Sequence, residues 1–139
     1  MQWRFEVTDH TADIGITAYG KDLAELMANA ACGMLSLIID PQTVNCTATG
    51  RIELEERDDI TLLVVWLNTL LYELDVNRLL YKEFDIVVTG PTKLSAVCRG
   101  ERLDLDKHRL IRELKAATYH NLSIVEERGI YSAGIIFDI

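Results

Sequence analysis

Residues 83–103, EFDIVVTGPTKLSAVCRGERL, decide the fold class, because they contain two alternating segments separated by Pro91-Thr92. Apolar and polar residues alternate in each segment as in half-buried strands, so the stretch predicts a β-hairpin. Three more strand-like segments follow, with Arg128-Gly129 as a turn between the last two: ELKAATYH (113–120), LSIVEE (122–127) and YSAGIIFDI (131–139). A run of strands without intervening helices is typical of an α+β fold and not of a doubly wound one.

The first half of the chain combines strands with two helices. Alternation predicts strands at 3–8, 13–19 and 50–56. Asp22 is suited to cap a first helix, which ends before Asp40-Pro41 because the residue before a proline avoids the α region. A second helix begins at Asp58, with apolar residues at 60, 63, 64, 67, 70, 71 and 74. We predict a single domain over residues 1–139 with an α+β fold: a two-layer arrangement with a largely antiparallel or mixed β-sheet and two main helices packed on it.

Charge and composition argue against several classes of protein. The chain has 14 Lys and Arg against 22 Asp and Glu, a formal net charge of −8, which repels a phosphate backbone. We therefore expect no strong direct binding to nucleic acid. The most apolar stretch, residues 60–74, is shorter than the roughly 20 residues that a membrane helix needs, and the N-terminus does not resemble a signal peptide. Three cysteines without CxxC spacing fit a reducing compartment, so we expect a cytoplasmic protein without membrane contact.

Familiar catalytic motifs are missing from the sequence. It contains no GxxxxGK[ST], GxGxxG, HExxH or GxSxG motif. This weakens the case for autonomous NTP hydrolysis and for serine-hydrolase chemistry. The residues that could carry chemistry are instead three polar groups.

The first polar group is Asp9-His10-Thr11-Ala12-Asp13, in the link between the first two predicted strands. Two carboxylates and an imidazole in a tight loop can bind a cation or hold a proton. Turn formation explains the same residues, because Asp and Thr side chains often cap tight turns.

The second polar group is the chain end, Phe137-Asp138-Ile139. The carboxylate of Asp138 stands beside the α-carboxylate of Ile139, and two such anions repel each other unless water or a cation neutralises them. A frayed, solvated terminus is the alternative. The strand pattern reaches the last residue, which favours an ordered end.

The third polar group is Asp104-Leu105-Asp106-Lys107-His108, followed by KAATYH. An extended backbone would place Asp104, Asp106 and His108 on one side, whereas an exposed polar loop would give them no shared role. Lys115 and His120 flank small residues in a predicted strand. A lysine there either pairs with carboxylates or phosphate, or lies at a strand edge facing water.

Five segments, in order along the chain, resemble the archease family: DHTADIGI (9–16), LLVVWLNTLLYE (62–73), GERLDLDKH (100–108), ELKAATYH (113–120) and IIFDI (135–139). The resemblance implies an accessory protein of the RtcB-type RNA ligase in tRNA splicing, and not an enzyme in its own right. Such a protein promotes guanylylation and multiple turnover of the ligase and broadens its nucleotide use. Its link to tRNA and GTP would be indirect, through the ligase.

The resemblance also implies site residues. The family's metal site falls on Asp13, Asp138 and the terminal carboxylate of Ile139, and its functional lysine falls on Lys115. Asp9 and His10 match the DHTAD motif and are expected to support Asp13. His120 is the last residue of the KAATYH motif and is expected to be functional or to face the partner. Asp104 and His108 are secondary candidates for site residues. The expected cofactor is a divalent metal, because oxygen donors favour Ca²⁺, Mg²⁺ or Mn²⁺ over soft metals.

Two other interpretations stay open at this point. The same carboxylates, with His10 or His120 as general base, could serve a small metal-dependent hydrolase or cyclase. The chain could also be a purely structural subunit. Turnover by the pure protein separates the hydrolase from the activator.

Overall fold

The predicted hairpin is the centre of a three-stranded antiparallel sheet. The computed structural model describes residues 4–9 and 13–139, and of Asp9 it describes the main chain alone. The hairpin strands are β4 (Leu79–Thr89) and β5 (Lys93–Arg102), and β3 (Ala48–Glu55) pairs with the other edge of β5. Gly90 occupies the turn with φ +59°, a conformation that glycine adopts without a steric penalty.

The other strands form a second antiparallel sheet. It consists of β1 (Phe5–Asp9), β2 (Ile14–Gly20), β6 (Ala116–Ala117), β7 (Ile124–Glu127) and β8 (Ile130–Asp138). Its order is β1-β2-β8-β6, and β7 also pairs with β8. Arg128 and Gly129 both have positive φ at the β7–β8 turn, as a tight hairpin requires.

Two helices pack against the strands of both sheets. They are α1 (Leu23–Ile38) and α2 (Asp59–Asn77), and a short 3₁₀ helix (Pro41–Thr43) follows α1. Both helices begin as predicted, because Asp22 Oδ1 accepts from Glu25 N at 2.8 Å and Asp58 Oδ1 accepts from Thr61 N at 2.7 Å. Each helix contacts strands of both sheets, so one apolar cluster fills the interior.

Trp66 anchors α2 at the centre of this cluster. Its side chain is fully buried, its Nε1 donates to Met27 O of α1 at 2.9 Å, and its ring packs edge-to-face on Phe84 of β4, with centroids 5.6 Å apart. Leu62 is also fully buried, although both residues lie off the main apolar stripe. The helix is therefore covered on more than one side, as a stripe with apolar residues beside it predicts.

The α+β class and the antiparallel pairing are confirmed. Every strand pairing in the described part is antiparallel. The strands form two sheets, whereas the sequence predicted one. None of the helices within the described ranges is long and apolar enough to cross a membrane.

The predicted strand at 113–120 is much shorter in the structure. Only Ala116–Ala117 pair with β8. Just before them, Ile111 N donates to Ile38 O at 2.7 Å and Arg112 Nη1 donates to Leu37 O at 2.7 Å. This segment therefore binds the free carbonyl groups at the end of α1 and does not pair with a strand. Just after them, Asn121 adopts a left-handed conformation with φ +52° in a turn.

Candidate functional site at one end of the β8 sheet

The register of β8 brings three of the candidate residues together. Phe137 of β8 pairs with Ile14 of β2 on one side and with Ala117 of β6 on the other. Asp13 directly precedes Ile14, and Asp138 directly follows Phe137. Both carboxylates therefore lie at the same end of the sheet, one residue beyond the Ile14–Phe137 pair.

Strand geometry also places the two carboxylates on the same face. Phe137 is fully buried and Ile14 is nearly so, which fixes their side chains on the core side. Since side chains alternate along a strand, Asp138 of β8 projects from the opposite face, and the same alternation continued one residue before β2 would place Asp13 there too. Residues that face each other across an antiparallel pair have Cβ atoms about 4.5–5.5 Å apart. Asp138 is exposed, whereas Oδ1 of Asp13 is shielded from solvent.

Lys115 reaches the same end of the sheet from β6. Its main-chain N–H donates to Asp138 O at 2.8 Å, which ties the residue before β6 to the last residue of β8. The side chain of Lys115 is exposed, and its ammonium group forms no ion pair with any other described residue. Ile139 follows Asp138 beside this segment and is 52% exposed.

Asp9 and His10 are the residues expected to support Asp13. The main chain of Asp9 belongs to β1 and pairs with Ile14, which is next to Asp13. The side chain of Asp9 and the whole of His10 lie outside the described residues. Their role as support for Asp13 stays a prediction.

His120 lies in the turn that follows β6. Its N–H donates to Thr118 Oγ1 at 3.3 Å, and Thr118 Oγ1 in turn donates to Ile136 O of β8 at 2.8 Å. The imidazole is exposed, and its Nε2 lies 3.4 Å from Asn121 Nδ2. His120 therefore flanks the sheet on the β6 side, beyond Thr118.

The secondary candidates Asp104 and His108 have structural roles. Residues 104–108 form a turn and are not extended, so the shared side proposed for Asp104, Asp106 and His108 is not formed. His108 is buried, and its Nδ1 accepts from Asp104 N at 2.9 Å. Its Nε2 must then carry the proton, which it donates to Glu101 Oε1 at 2.8 Å.

Glu101 is the centre of this structural cluster. Lys107 Nζ donates to both of its oxygens, at 2.9 and 2.7 Å, and Asn45 N donates to Oε1 at 3.0 Å. These hydrogen bonds, from Lys107 first and then from Asn45 and His108, lower the pKa of Glu101 to about 2. These hydrogen bonds hold the turn at 104–108 against the end of β5. The segment that leads to Lys115 begins at this turn.

The three cysteine thiols are poor nucleophiles. Burial raises the pKa of Cys98 to about 12, and burial is also the largest cause of the raised pKa of Cys32. Cys46 is exposed, but desolvation and the adjacent carboxylate of Glu83, 3.2 Å from its sulfur, raise its pKa too. Since the thiolate is the reactive form, none of the three is activated for covalent chemistry.

Asn68 contacts the site from α2, and no motif in the sequence marks it as a site residue. Its Nδ2 donates to Ala117 O at 3.2 Å, and its Oδ1 accepts from Ala117 N at 2.7 Å. A polar residue in the middle of an apolar helical run was the available signal. An open groove of about 310 Å³ borders Asn68, lined by Val64, Val65, Asn68, Thr69, Tyr72 and Tyr119.

The donors at this strand end are oxygen atoms. Within the described ranges, no three His, Cys, Asp or Glu side chains gather closely enough to hold a metal ion by themselves. The strand end supplies two carboxylate side chains, and Ile139 follows Asp138 directly. Such a set suits a hard divalent cation that keeps part of its water shell.

Comparisons with known proteins agree with this architecture. The sequence model of the Archease protein family matches residues 5–139. Archease of Methanosarcina barkeri is 35% identical, with 98% of this chain and 96% of that protein covered, and archease of Pyrococcus abyssi is 34% identical, with 98% and 99% covered. The solution structure of protein 1598 from Methanobacterium thermoautotrophicum has a TM-score of 0.82 at 32% identity, covering 98% of this chain and 99% of that one.

A crystal structure from Thermotoga maritima, described as an archease and possible chaperone, has a TM-score of 0.69 at 21% identity, with 95% and 94% of the two chains covered. At this identity the likeness concerns the fold alone. The family match over nearly the whole chain and the curated relatives above 30% identity carry the assignment. This chain belongs to the archease family.

Proposed function

We propose that this protein activates an RtcB-type RNA ligase in tRNA splicing, promoting guanylylation and multiple turnover of the ligase and broadening its nucleotide use. The observation that carries the proposal is the meeting of Asp13, Asp138 and the Lys115 segment at one sheet end, in a chain that belongs to the archease family. The function itself comes from the family resemblance. The common strand end of Asp13, Asp138 and the Lys115 segment supports the proposal.

Asp13, Asp138 and the α-carboxylate of Ile139 would hold a divalent cation. Carboxylates this close repel one another, and a cation between them removes that repulsion. The partly shielded position of Asp13 fits this role, because a carboxylate with one oxygen away from water binds a cation with less competition from solvent. Ca²⁺, Mg²⁺ and Mn²⁺ all accept such donors. When bound, the metal supplies positive charge at a surface otherwise dominated by anions.

Lys115 is the residue that would meet the partner. Its ammonium group is exposed at the rim of the site, while its main chain is fixed by Asp138. A lysine held in this way can approach a phosphate or a carboxylate as a mobile point charge. The guanylylated ligase offers such a phosphate. The exposed position of Lys115 fits contact with the ligase or its nucleotide better than a counter-charge within the protein.

The net charge of −8 supports a protein partner over direct contact with tRNA. An acidic surface slows approach to a polyanion and favours approach to a basic protein surface. Contact with tRNA and GTP would therefore pass through the ligase. The cytoplasm is the expected compartment.

The proposal is tested by ligase guanylylation with labelled GTP and Mn²⁺. The ligase is incubated alone, with the wild-type protein, with Asp13→Ala and with Asp106→Asn, which changes an exposed turn carboxylate away from the site. We expect stimulation by the wild type and by Asp106→Asn, and none by Asp13→Ala. Circular dichroism checks that Asp13→Ala is folded. A folded Asp13→Ala that stimulates fully refutes the site, and a wild type that leaves guanylylation unchanged refutes the function.

A further inference from the structure

We propose that Asn68 is a positioning residue. Its side chain forms the main-chain hydrogen bonds that a neighbouring strand would otherwise form with the outer side of β6, and it thereby fixes Lys115 beside Asp138. The structural part of this inference stands by itself, and its consequence for ligase activation rests on the function proposed above. The single side chain of Asn68 binds both main-chain groups of Ala117, with Nδ2 3.2 Å from Ala117 O and Oδ1 2.7 Å from Ala117 N. A carboxamide is the one neutral side-chain group that offers a donor and an acceptor side by side in this way.

The need for such a contact follows from the position of β6. This strand has only two residues and lies at the edge of its sheet, in the order β1-β2-β8-β6. Its inner side binds β8, through Lys115 N to Asp138 O at 2.8 Å and Thr118 N to Ile136 O at 3.0 Å. Its outer side would present Ala117 N–H and C=O to the flank of α2. Main-chain groups that are removed from water require partners, and Asn68 supplies both.

The contact explains a polar residue in an apolar helix. Asn68 lies between Leu67, which is fully buried, and Thr69, whose hydroxyl donates within the helix to Val65 O at 2.7 Å. Asn has a lower helix propensity than the aliphatic residues around it, and a partly buried carboxamide is unfavourable without partners. The two bonds to Ala117, 49 residues further along the chain, offset that cost.

The consequence for the site is positional. Ala117 is clamped between Asn68 on one side and Phe137 of β8 on the other, and it is two residues from Lys115. Loss of the clamp frees one side of a two-residue strand, whose remaining bonds to β8 are then exposed to fraying. Lys115 and the end of β8 would no longer keep a fixed relation, although the Ile14–Phe137 pair would still hold Asp13 and Asp138 at one end of the sheet.

The test is main-chain amide exchange, measured by NMR on the full chain. Asn68→Leu removes both hydrogen bonds at similar volume, and Asn68→Asp keeps the acceptor for Ala117 N but sets a carboxylate oxygen against Ala117 O. Thr69→Val is the matched control on the same helix. Two lost bonds predict that exchange at Lys115 and Thr118 rises about tenfold or more in Asn68→Leu, and less in Asn68→Asp. Exchange in β5, at Val97, should be unchanged in all three variants.

Unchanged amide exchange at Lys115 and Thr118 in Asn68→Leu overturns the inference. An exchange rate that rises as much at Val97 as at Lys115 and Thr118 also overturns it, because such a rise marks a loss of global stability. Ligase guanylylation is measured on the same samples. If Asn68 acts through Lys115, Asn68→Leu lowers stimulation, and adding Asn68→Leu to Lys115→Met causes no further loss. A full additional loss contradicts action through Lys115. If even the wild type gives no stimulation, the proposed function fails, while the exchange data still decide the role of Asn68.

Discussion

Replacing Lys115 with methionine separates a role at the partner from a role in the fold. The substitution keeps most of the aliphatic stem and removes the charge. The side chain is exposed, and its ammonium forms no ion pair with another described residue, so no internal contact of the charge is lost. The hydrogen bond from Lys115 N to Asp138 O belongs to the main chain and persists.

The size of the expected stability change follows from these facts. Exposed substitutions of this kind change the free energy of unfolding by about 0.5 kcal/mol or less. At about 2.1 cal/mol/K per residue, a chain of 139 residues has an unfolding entropy of about 0.29 kcal/mol/K. The melting temperature of Lys115→Met should therefore lie within about 2 °C of the wild type.

Ligase guanylylation should fall sharply in the same variant, since the charge that meets the partner is gone. Lys93→Met is the matched control, because Lys93 is an exposed lysine of β5 on the other sheet, 3.8 Å from Glu55. It should melt similarly and stimulate like the wild type. The assays are thermal unfolding followed by circular dichroism, metal binding by calorimetry, and guanylylation. A Lys115→Met protein that unfolds, or that loses metal together with activity, would show that Lys115 is a structural counter-charge.

Three further predictions concern the core, the Glu101 cluster and the chain end. Phe137→Ala removes a fully buried core ring next to the end of β8 and should lower the free energy of unfolding by about 3–5 kcal/mol, measured by urea denaturation; a loss below about 1 kcal/mol would contradict the packing described. The pKa of Glu101 is about 2, below its ordinary value of 4.5, so its contribution to stability is present above about pH 4.5 and is lost as the pH falls toward 2. The urea midpoint of Glu101→Gln should therefore fall less steeply than that of the wild type over this range, with Glu127→Gln as the control, and parallel profiles would refute the cluster's role. Residues appended after Ile139 convert its α-carboxylate into an amide and should weaken Mn²⁺ binding in calorimetry, whereas an N-terminal extension should not; equal affinities would remove the terminus from the ligand set.

Alternation of apolar residues and helix-capping residues predicted strands and helix starts, because these features depend on neighbours within a few residues. Alternation over residues 13–19 predicted a strand, and its apolar residues Ile14, Ile16 and Ala18 are all core residues of β2. The N-terminus of each helix followed from an aspartate whose side chain bonds the first turn. These features depend on side-chain periodicity and on neighbours within a few residues, which a single sequence contains.

Individual hydrogen bonds outside the regular elements were not predictable in the same way. The brevity of β6 depends on Ile111 and Arg112 binding the end of α1, and on Asn68 binding Ala117. The sequence left an extended segment and a polar loop open at 104–108, and the structure has a turn in which the ring of His108 accepts a hydrogen bond from Asp104 N. Such side-chain bonds to nearby backbone compete with strand pairing and leave no periodic signal.

The meeting of Asp13 with Asp138 lies between these cases. The sequence identified both as carboxylates at strand ends, but periodicity contains no information about which strands are neighbours. The family resemblance implied their proximity, and the antiparallel register of β2 with β8 places them at one end of the sheet. Their binding of a metal stays a prediction.

The most direct test of the central claim is the number of RNA joints that each ligase molecule forms with GTP and Mn²⁺. The ligase is held well below its RNA substrate, and the reaction is followed with and without the wild-type protein; the protein without ligase is the third sample. We expect about one joint or fewer per ligase alone, many joints when the protein is added, and no reaction by the protein itself. An unchanged number of joints per ligase, or turnover by the protein in the absence of ligase, would contradict the proposed role as a ligase activator.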